Sequence, residues 1–391
     1  MNVLFLSEDY FPYLGGVPVV VQYLAEGLSK NHSVHVATSV PSDDGNLPTD
    51  IVNGVIVHRF KIYRNVAKRL KGDLIGFQDF IKKMKFDVII VECGQASTTD
   101  AFLPILSQIE APCIIHAHGL SGLRLIPLSV KSDLKHTIGN TYNWLRMQWY
   151  YKYKFKKACR FFAASISLTK VDSGYSYLSE NIAKNFILGN AAEDFFFQDS
   201  CVSYEWNLRG KPYLLSIANF SVVKDQIGMM REFYRTIDSG YSLVMIGSKK
   251  NDYYYKMRKE KQLLDQKFGF RPVEILVGVN RCFFPSILDG ASAYLVTSIC
   301  EEFSISVIEA MARAVPFIST NVGNAMELPG GVVVDNIGEI HTAIDSLLSD
   351  DLKRMQLGYL GRQYAFEKCR RKVAIEKLES ILLDIQKSYH N

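Results

Sequence analysis

Short apolar runs alternate with stretches of helical periodicity along the whole chain, and that alternation predicts an α/β protein. In the first half, residues 3–7, 33–38, 55–60, 87–91, 112–116, 160–165 and 185–188 read as strands and 18–28 as a helix. The runs DVIIV (87–91) and PCIIH (112–116) are continuously apolar rather than alternating, as in parallel strands buried on both faces. A second series follows, with strands at 213–217, 242–246, 273–277, 293–296 and 316–319 and helical stretches between them. Residues 190–210 are poorly periodic and read as a linker, and the tail from 352 to 387 is helical and charged. The expected architecture is two Rossmann-like, doubly wound domains, residues 1–190 and 191–369, with 370–391 packing back on the first. Two α/β domains of similar size joined once suggest a ligand cleft between them.

Composition narrows the class. The 391 residues are 48% hydrophobic and 22% charged, ordinary for a globular protein with more than one core. Seven cysteines are scattered without a CxxC pair, which predicts reduced, mostly buried thiols and gives no support to a structural metal site. The N-terminus meets Glu8 and Asp9 after a short apolar run, so a first strand is expected there rather than a signal peptide. No apolar run approaches the roughly 18 residues that cross a bilayer.

The net charge of +5 is unevenly spread. No acidic residue occurs between Asp133 and Asp172, where Lys135, Arg146, Lys152, Lys154, Lys156, Lys157, Arg160 and Lys170 fall, nor between Ile51 and Gly72, where Arg64, Lys68 and Arg69 lie. The run 144–157 interleaves Trp149 and other aromatics with Lys152 and Lys156, a mixture that suits an anionic membrane surface. A core helix with a solvated basic face explains the same pattern. No nucleic-acid motif accompanies it, so no nucleic-acid partner is expected.

Candidate chemistry concentrates in CEEFSISVIEAMARAVP, residues 300–316. Apolar Ile305, Ile308, Ala312 and Val315 recur at helical spacing, so one buried helix face is expected after the strand at 293–296. Glu301 then falls on the loop leaving the strand, where open α/β sheets place ligands, and Glu309 lies about one and a half turns inside the helix. Two such carboxylates can accept hydrogen bonds from a polyhydroxylated ligand, or simply favour the helix dipole. Lys224 follows another strand and stands at a predicted helix start, a place that attracts phosphate. Gly15 and Gly16 follow the first strand and open a helix, but they do not form G-x-G-x-x-G, which tells against a dinucleotide cofactor. His116 and His118 end a strand two residues apart, with no acidic residue near in sequence, and no metal is expected there.

These segments together resemble the family 4 retaining glycosyltransferases, which have the GT-B fold: two Rossmann-like doubly wound α/β domains facing across a cleft. The resemblance is strongest over residues 213–331 and weakest over 43–85 and 121–153. It implies that Glu301 and Glu309 are the family's E-x7-E pair, one beside the transferred sugar and one on the ribose hydroxyls. It further implies donor-binding roles for Gly15, Gly16, Asn219, Lys224, Phe303, Ser304 and Ile305, and a place for His118 at the reaction centre. Many relatives carry Arg at the position of Asn219 and Gly at those of Glu302 and Ser304, and Ala191 replaces a hinge Gly.

The activity so implied is transfer of a hexose, with retention, from a UDP- or GDP-linked sugar to a glycan or polyprenyl-diphosphate-linked acceptor. No cofactor and no metal are expected, since the nucleotide sugar is a co-substrate. The setting expected is bacterial surface polysaccharide assembly, cytoplasmic or peripheral on the inner face of the plasma membrane. Arg64, Lys68, Arg69, Trp149, Lys152 and Lys156 would form the membrane or acceptor side. A nucleotide-sugar 2-epimerase of the same architecture, or a scaffold that binds donor without turnover, are the alternatives.

Overall fold

The strands carry most of the buried apolar surface, and their order fixes where ligands can go. In a computed structural model of the chain the described residues are 1–12, 15–40, 49–65, 68–124, 134–200, 202–205, 211–237 and 240–390, with no side chain described at 121, 134–138, 140 and 390. Leu14, Cys201 and Gly210 therefore lie outside the described residues, as does the side chain of Lys135. The chain divides into two compact units, one of Met1–Gly189 with Arg371–Asn391 and one of Asn190–Arg370.

The first unit holds β1 (Asn2–Ser7), β2 (Ser33–Ser39), β3 (Asp50–Val52), β4 (Val55–Phe60), β5 (Ile62–Arg64), β6 (Leu70–Gly72), β7 (Val88–Glu92), β8 (Cys113–His116), β9 (Ala164–Ser167) and β10 (Asn185–Ile187). Eight of these form one sheet in the order β10-β9-β8-β7-β1-β2-β4-β3, parallel but for β3 against β4, while β5 and β6 make a separate antiparallel pair. The inner strands β1, β7 and β8 are buried almost residue for residue, as their continuous apolar runs require. The strand expected at 160–165 lies later, at β9, because residues 156–159 finish a helix and Phe162 packs into the core beneath it. The helix Arg371–His390 packs against the helix Val17–Leu28 and buries Leu378 and Leu382 completely.

The second unit contains β11 (Tyr213–Ile217), β12 (Ser242–Gly247), β13 (Val273–Val277), β14 (Ala291–Val296), β15 (Phe317–Thr320) and β16 (Gly331–Val334), all parallel in the order β13-β12-β11-β14-β15-β16. The stretch read as a linker is part of this body: Asp194–Phe197 forms a 3-10 turn and Phe196 is fully buried in the core. The helix Ile305–Ala312 is buried on more than the one expected face, since Val307, Ala310 and Met311 are covered as well as Ile308 and Ala312, and Val315 lies beyond its end.

Candidate functional site

In the second unit, chain connections leave β11 and β14 toward opposite edges of the sheet, so a crevice opens at the carboxyl ends of these adjacent strands. Lys224 leaves by one strand and Glu301 by the other. Residue 225 takes a left-handed conformation (φ 45°), and the Asp225 carboxylate caps the helix Gln226–Phe233 by accepting from the Gly228 N–H at 3.1 Å. The loop beyond β14 is stitched to this turn. The Thr297 hydroxyl donates to the carbonyls of Lys224 (3.1 Å) and Asp225 (3.0 Å), and the Ile299 N–H to Val223 O (2.7 Å). Within β14 itself, the buried Tyr294 hydroxyl donates to Ile217 O at 2.9 Å.

On that frame the Lys224 ammonium pairs with the Glu301 carboxylate, and the Ser298 hydroxyl donates to the same oxygen at 2.9 Å. Beside the pair a recess is lined by Glu301, Ser304, Val322 and Asn324, among others. Gly323 (φ 54°) closes against it: an added Cβ would stand 2.8 Å from the carbonyl oxygen of Glu302, so the backbone approach requires glycine. Ser304 begins the helix Ile305–Ala312, its hydroxyl 3.2 Å from that of Ser306; Phe303 O accepts from the Asn190 side chain at 3.4 Å, and Ile305 is half-buried. Asn219 is exposed.

Glu309 sits inside the helix and is 2% exposed, with its carboxylate paired to Arg281. Arg281 also donates from Nε to Glu193 at 2.6 Å and lies over the rings of Phe196 and Phe284. Burial works against its charge, but the Glu309 and Glu193 carboxylates together hold its pKa above the usual value. No pattern in the sequence singled out Arg281.

In the first unit, Gly15 (φ 144°) and Gly16 (φ 50°) are exposed and lead into the helix Val17–Leu28, with nothing within 4 Å of a Cβ added at either. That is open backbone in a conformation natural to glycine. At the ends of β7 and β8 the structure assembles a cluster that the sequence did not show. Glu92, 1% exposed, places Oε2 2.5 Å from His118 Nε2 and 3.1 Å from His116 Nδ1. The two histidines do not share a strand face: β8 ends at His116, and His118 turns back through a left-handed backbone (φ 53°) to bring the ring centroids within 3.9 Å. Glu92 was missed because it is distant in sequence, although the end of an inner parallel strand is where such a group is to be sought.

Two histidines and a carboxylate are a donor set that zinc uses, and their ligand atoms lie within 4.8 Å of one another. Ligands at ~2 Å from a tetrahedral ion stand roughly 3.3 Å apart. The 2.5 Å between Oε2 and Nε2 is a hydrogen-bond separation, so in this arrangement Glu92 and His118 are bonded to each other. Burial opposes ionisation of Glu92, but the two histidines outweigh it and bring its pKa down to about 2.

The basic side is rearranged. The Arg64 guanidinium donates to Asp100 (2.6 Å) and to the carbonyl of Gln95 (3.0 Å), and Lys154 holds the other Asp100 oxygen at 2.7 Å. The Asp100 carboxylate is 9% exposed and is served by both cations, Arg64 23% and Lys154 43% exposed. Lys68, Arg69, Lys152 and Lys156 are exposed, and Trp149 is 62% exposed.

Two family models account for most of the chain: "Glycosyltransferase Family 4" matches residues 14–170 and "Glycosyl transferases group 1" matches residues 205–364. The chain belongs to the family 4 glycosyltransferases. Among curated proteins it is 28% identical over 166 residues to a trehalose synthase of Rubrobacter xylanophilus, a match spanning 39% of each. Solved structures share the fold of this glycosyltransferase over nearly the whole chain. Sucrose-phosphate synthase from Thermosynechococcus elongatus has a TM-score of 0.74 at 14% identity, covering 99% of this chain and all of that one. Anabaena HepE in complex with UDP-glucose has a TM-score of 0.70 at 14% identity, covering 98% and 99%. A glycosyltransferase from Rickettsia africae has a TM-score of 0.70 at 16% identity, covering 99% of each. These neighbours establish the GT-B fold.

Proposed function

We propose that the chain transfers a hexose, with retention of configuration, from a UDP- or GDP-linked sugar to a glycan or polyprenyl-diphosphate-linked glycan in bacterial surface polysaccharide assembly. The observation that carries the donor assignment is the meeting of Lys224 and Glu301 at the switch point of the second sheet, beside the buried Glu309. The leaving nucleotide gathers negative charge, and catalysis requires cations and backbone donors placed for it in advance. Lys224 and the N-terminus of the helix Ile305–Ala312 supply both, and the Glu309 carboxylate supplies an acceptor for ribose hydroxyls once Arg281 yields or shares it. The structures of Anabaena HepE with UDP and with UDP-glucose favour such a donor. His118, with Gly15 and Gly16, serves the sugar and acceptor from the first unit.

Retention by double displacement needs a free carboxylate nucleophile. Glu301 is instead engaged by Lys224 and Ser298, which favours a front-face route in which the leaving phosphate helps to take the acceptor proton. The exposed basic and aromatic surface around Trp149, Lys152 and Lys156 fits a lipid-linked acceptor at an anionic membrane. A second reading, a soluble sugar acceptor, is favoured by the likeness to trehalose synthase. No helix among the described residues is long and apolar enough to cross a membrane.

The test is a thermal-shift panel of UDP, GDP, ADP and CMP and their sugars on the wild type, Lys224→Ala and Glu309→Ala. A ligand that binds only the folded state raises its melting temperature, adding about 2.7 kcal/mol of stability at 100 times Kd. One nucleotide should stabilise the wild type and neither variant. No shift with any nucleotide at millimolar concentration would overturn the donor assignment.

A further inference from the structure

The cluster at the ends of β7 and β8 is built at a cost. Among the described residues the buried Glu92 carboxylate has histidines but no arginine or lysine as ion-pair partners, and its Oε1 has no hydrogen-bond partner. His118 Nε2 makes the 2.5 Å hydrogen bond to Oε2, and His116 Nδ1 lies 3.1 Å from the same oxygen. Desolvating a charge under those conditions is unfavourable. Two residues other than glycine, Cys93 (φ 65°) and His118 (φ 53°), are held in left-handed backbone around it. Such strain persists only where the surroundings enforce it. Here the Cys93 N–H donates to His116 O at 2.9 Å and the Thr99 hydroxyl to Cys93 O at 2.7 Å, fixing both strand ends. A fold that needed only packing would gain by an apolar residue at position 92.

We infer that Glu92 is a positioning residue for His118, holding the ring with its proton on Nε2 and leaving Nδ1 as the acceptor for a hydroxyl of sugar or acceptor. An ionised carboxylate only accepts, so the nitrogen 2.5 Å from it carries the hydrogen. A neutral imidazole protonated at Nε2 has its lone pair at Nδ1. Burial and the neighbouring His116 lower the His118 pKa, while Glu92 and Asp172 raise it less, which keeps the ring neutral. The titratable groups acting on this pair are His116 and Asp172, and the neighbouring Cys93 is in turn reached by Glu8 and Asp9, just beyond β1. The inference rests on the proposed place of His118 at the reaction centre.

Imidazole nitrogen-15 spectra of the wild-type full chain at neutral pH test the tautomer directly. His118 should show a protonated Nε2 and a bare Nδ1; the opposite tautomer overturns the inference whatever the variants do. In turnover, Glu92→Gln should lower kcat by about 10- to 100-fold with donor KM changed less than about twofold. The acid limb of its pH–rate profile should also move to lower pH, because the anion that favours the protonated ring is gone. Wild-type kcat and pH profile in Glu92→Gln would sink the role of Glu92 if His118→Ala is inactive. Full turnover by His118→Ala would instead remove His118 from the reaction, and with it the reading on which this one rests.

Discussion

His35 on β2 and His58 on β4 stack with ring centroids 5.3 Å apart, and Nδ1 of one lies 3.0 Å from Nε2 of the other. One can donate to the other only while at least one is neutral. Burial, then the neighbouring His35, pulls the His58 pKa from 6.5 to about 4. The unfolded chain therefore binds more protons than the folded one between those values, and stability rises with pH across that window. It is fully present above about 6.5 and declines toward about 4. His58→Phe keeps a ring against Phe80, which stands 4.4 Å away, and removes the titration. Its melting temperature should fall less between pH 7 and pH 5 than that of the wild type; equal slopes would show that the histidine pair does not govern acid sensitivity. Glu92 contributes in a lower window, between its ordinary carboxylate range and about 2, and does not interfere. The pairing of Arg64 belongs to the same scale. Sequence showed an acid-free basic stretch, but Asp100 is distant in the chain, and only folding makes it the partner.

At the scale of elements, the helix Leu134–Trp149 runs into a π-helical turn, Tyr150–Phe155, and a short helix, Lys156–Cys159. Tyr150, Tyr151 and Phe155 are buried, leaving Trp149, Lys152, Tyr153, Lys156 and Lys157 outside. The alternation of aromatic and basic residues is thus a real separation into faces, with Lys154 drawn to Asp100 as the exception. A basic residue near an anionic leaflet is worth about 1 kcal/mol. Changing Lys152, Lys156 and Lys157 together to Glu should weaken binding to vesicles containing anionic lipid by about 100-fold or more, with unchanged circular dichroism. Unaltered vesicle binding would leave this face a solvated one. The helix Ile305–Ala312 shows the opposite limit. Its apolar positions were legible, but its burial on nearly every side was not, because the helix Asp351–Lys368 that packs on it is far off in the chain.

Whole-molecule organisation rests on the last helix. Arg371–His390 is grouped with residues 1–189 although the entire second unit intervenes in sequence. Ile375 lies against Gly27, where an added Cβ would stand 2.3 Å from its side chain, and His32 bonds Glu379 at 2.7 Å. Leu378→Ala should therefore cost about 3 kcal/mol, read as a lower denaturation midpoint. An unchanged midpoint would mean that this helix contributes no core to the first unit.

The sequence by itself determined the α/β class and nearly all of the parallel strands, and it brought Lys224, Glu301, Glu309 and His118 forward as candidates. These are local signals, since hydrophobic periodicity, a strand end and a short motif are each written in neighbouring positions. Only the tertiary structure decided which side chains meet. The order of strands set Lys224 on Glu301, Arg281 on Glu309, and Glu92 beneath His118. Adjacency in a sheet with crossover connections is set by packing between segments far apart in the chain, and pattern along the chain carries no distance between them.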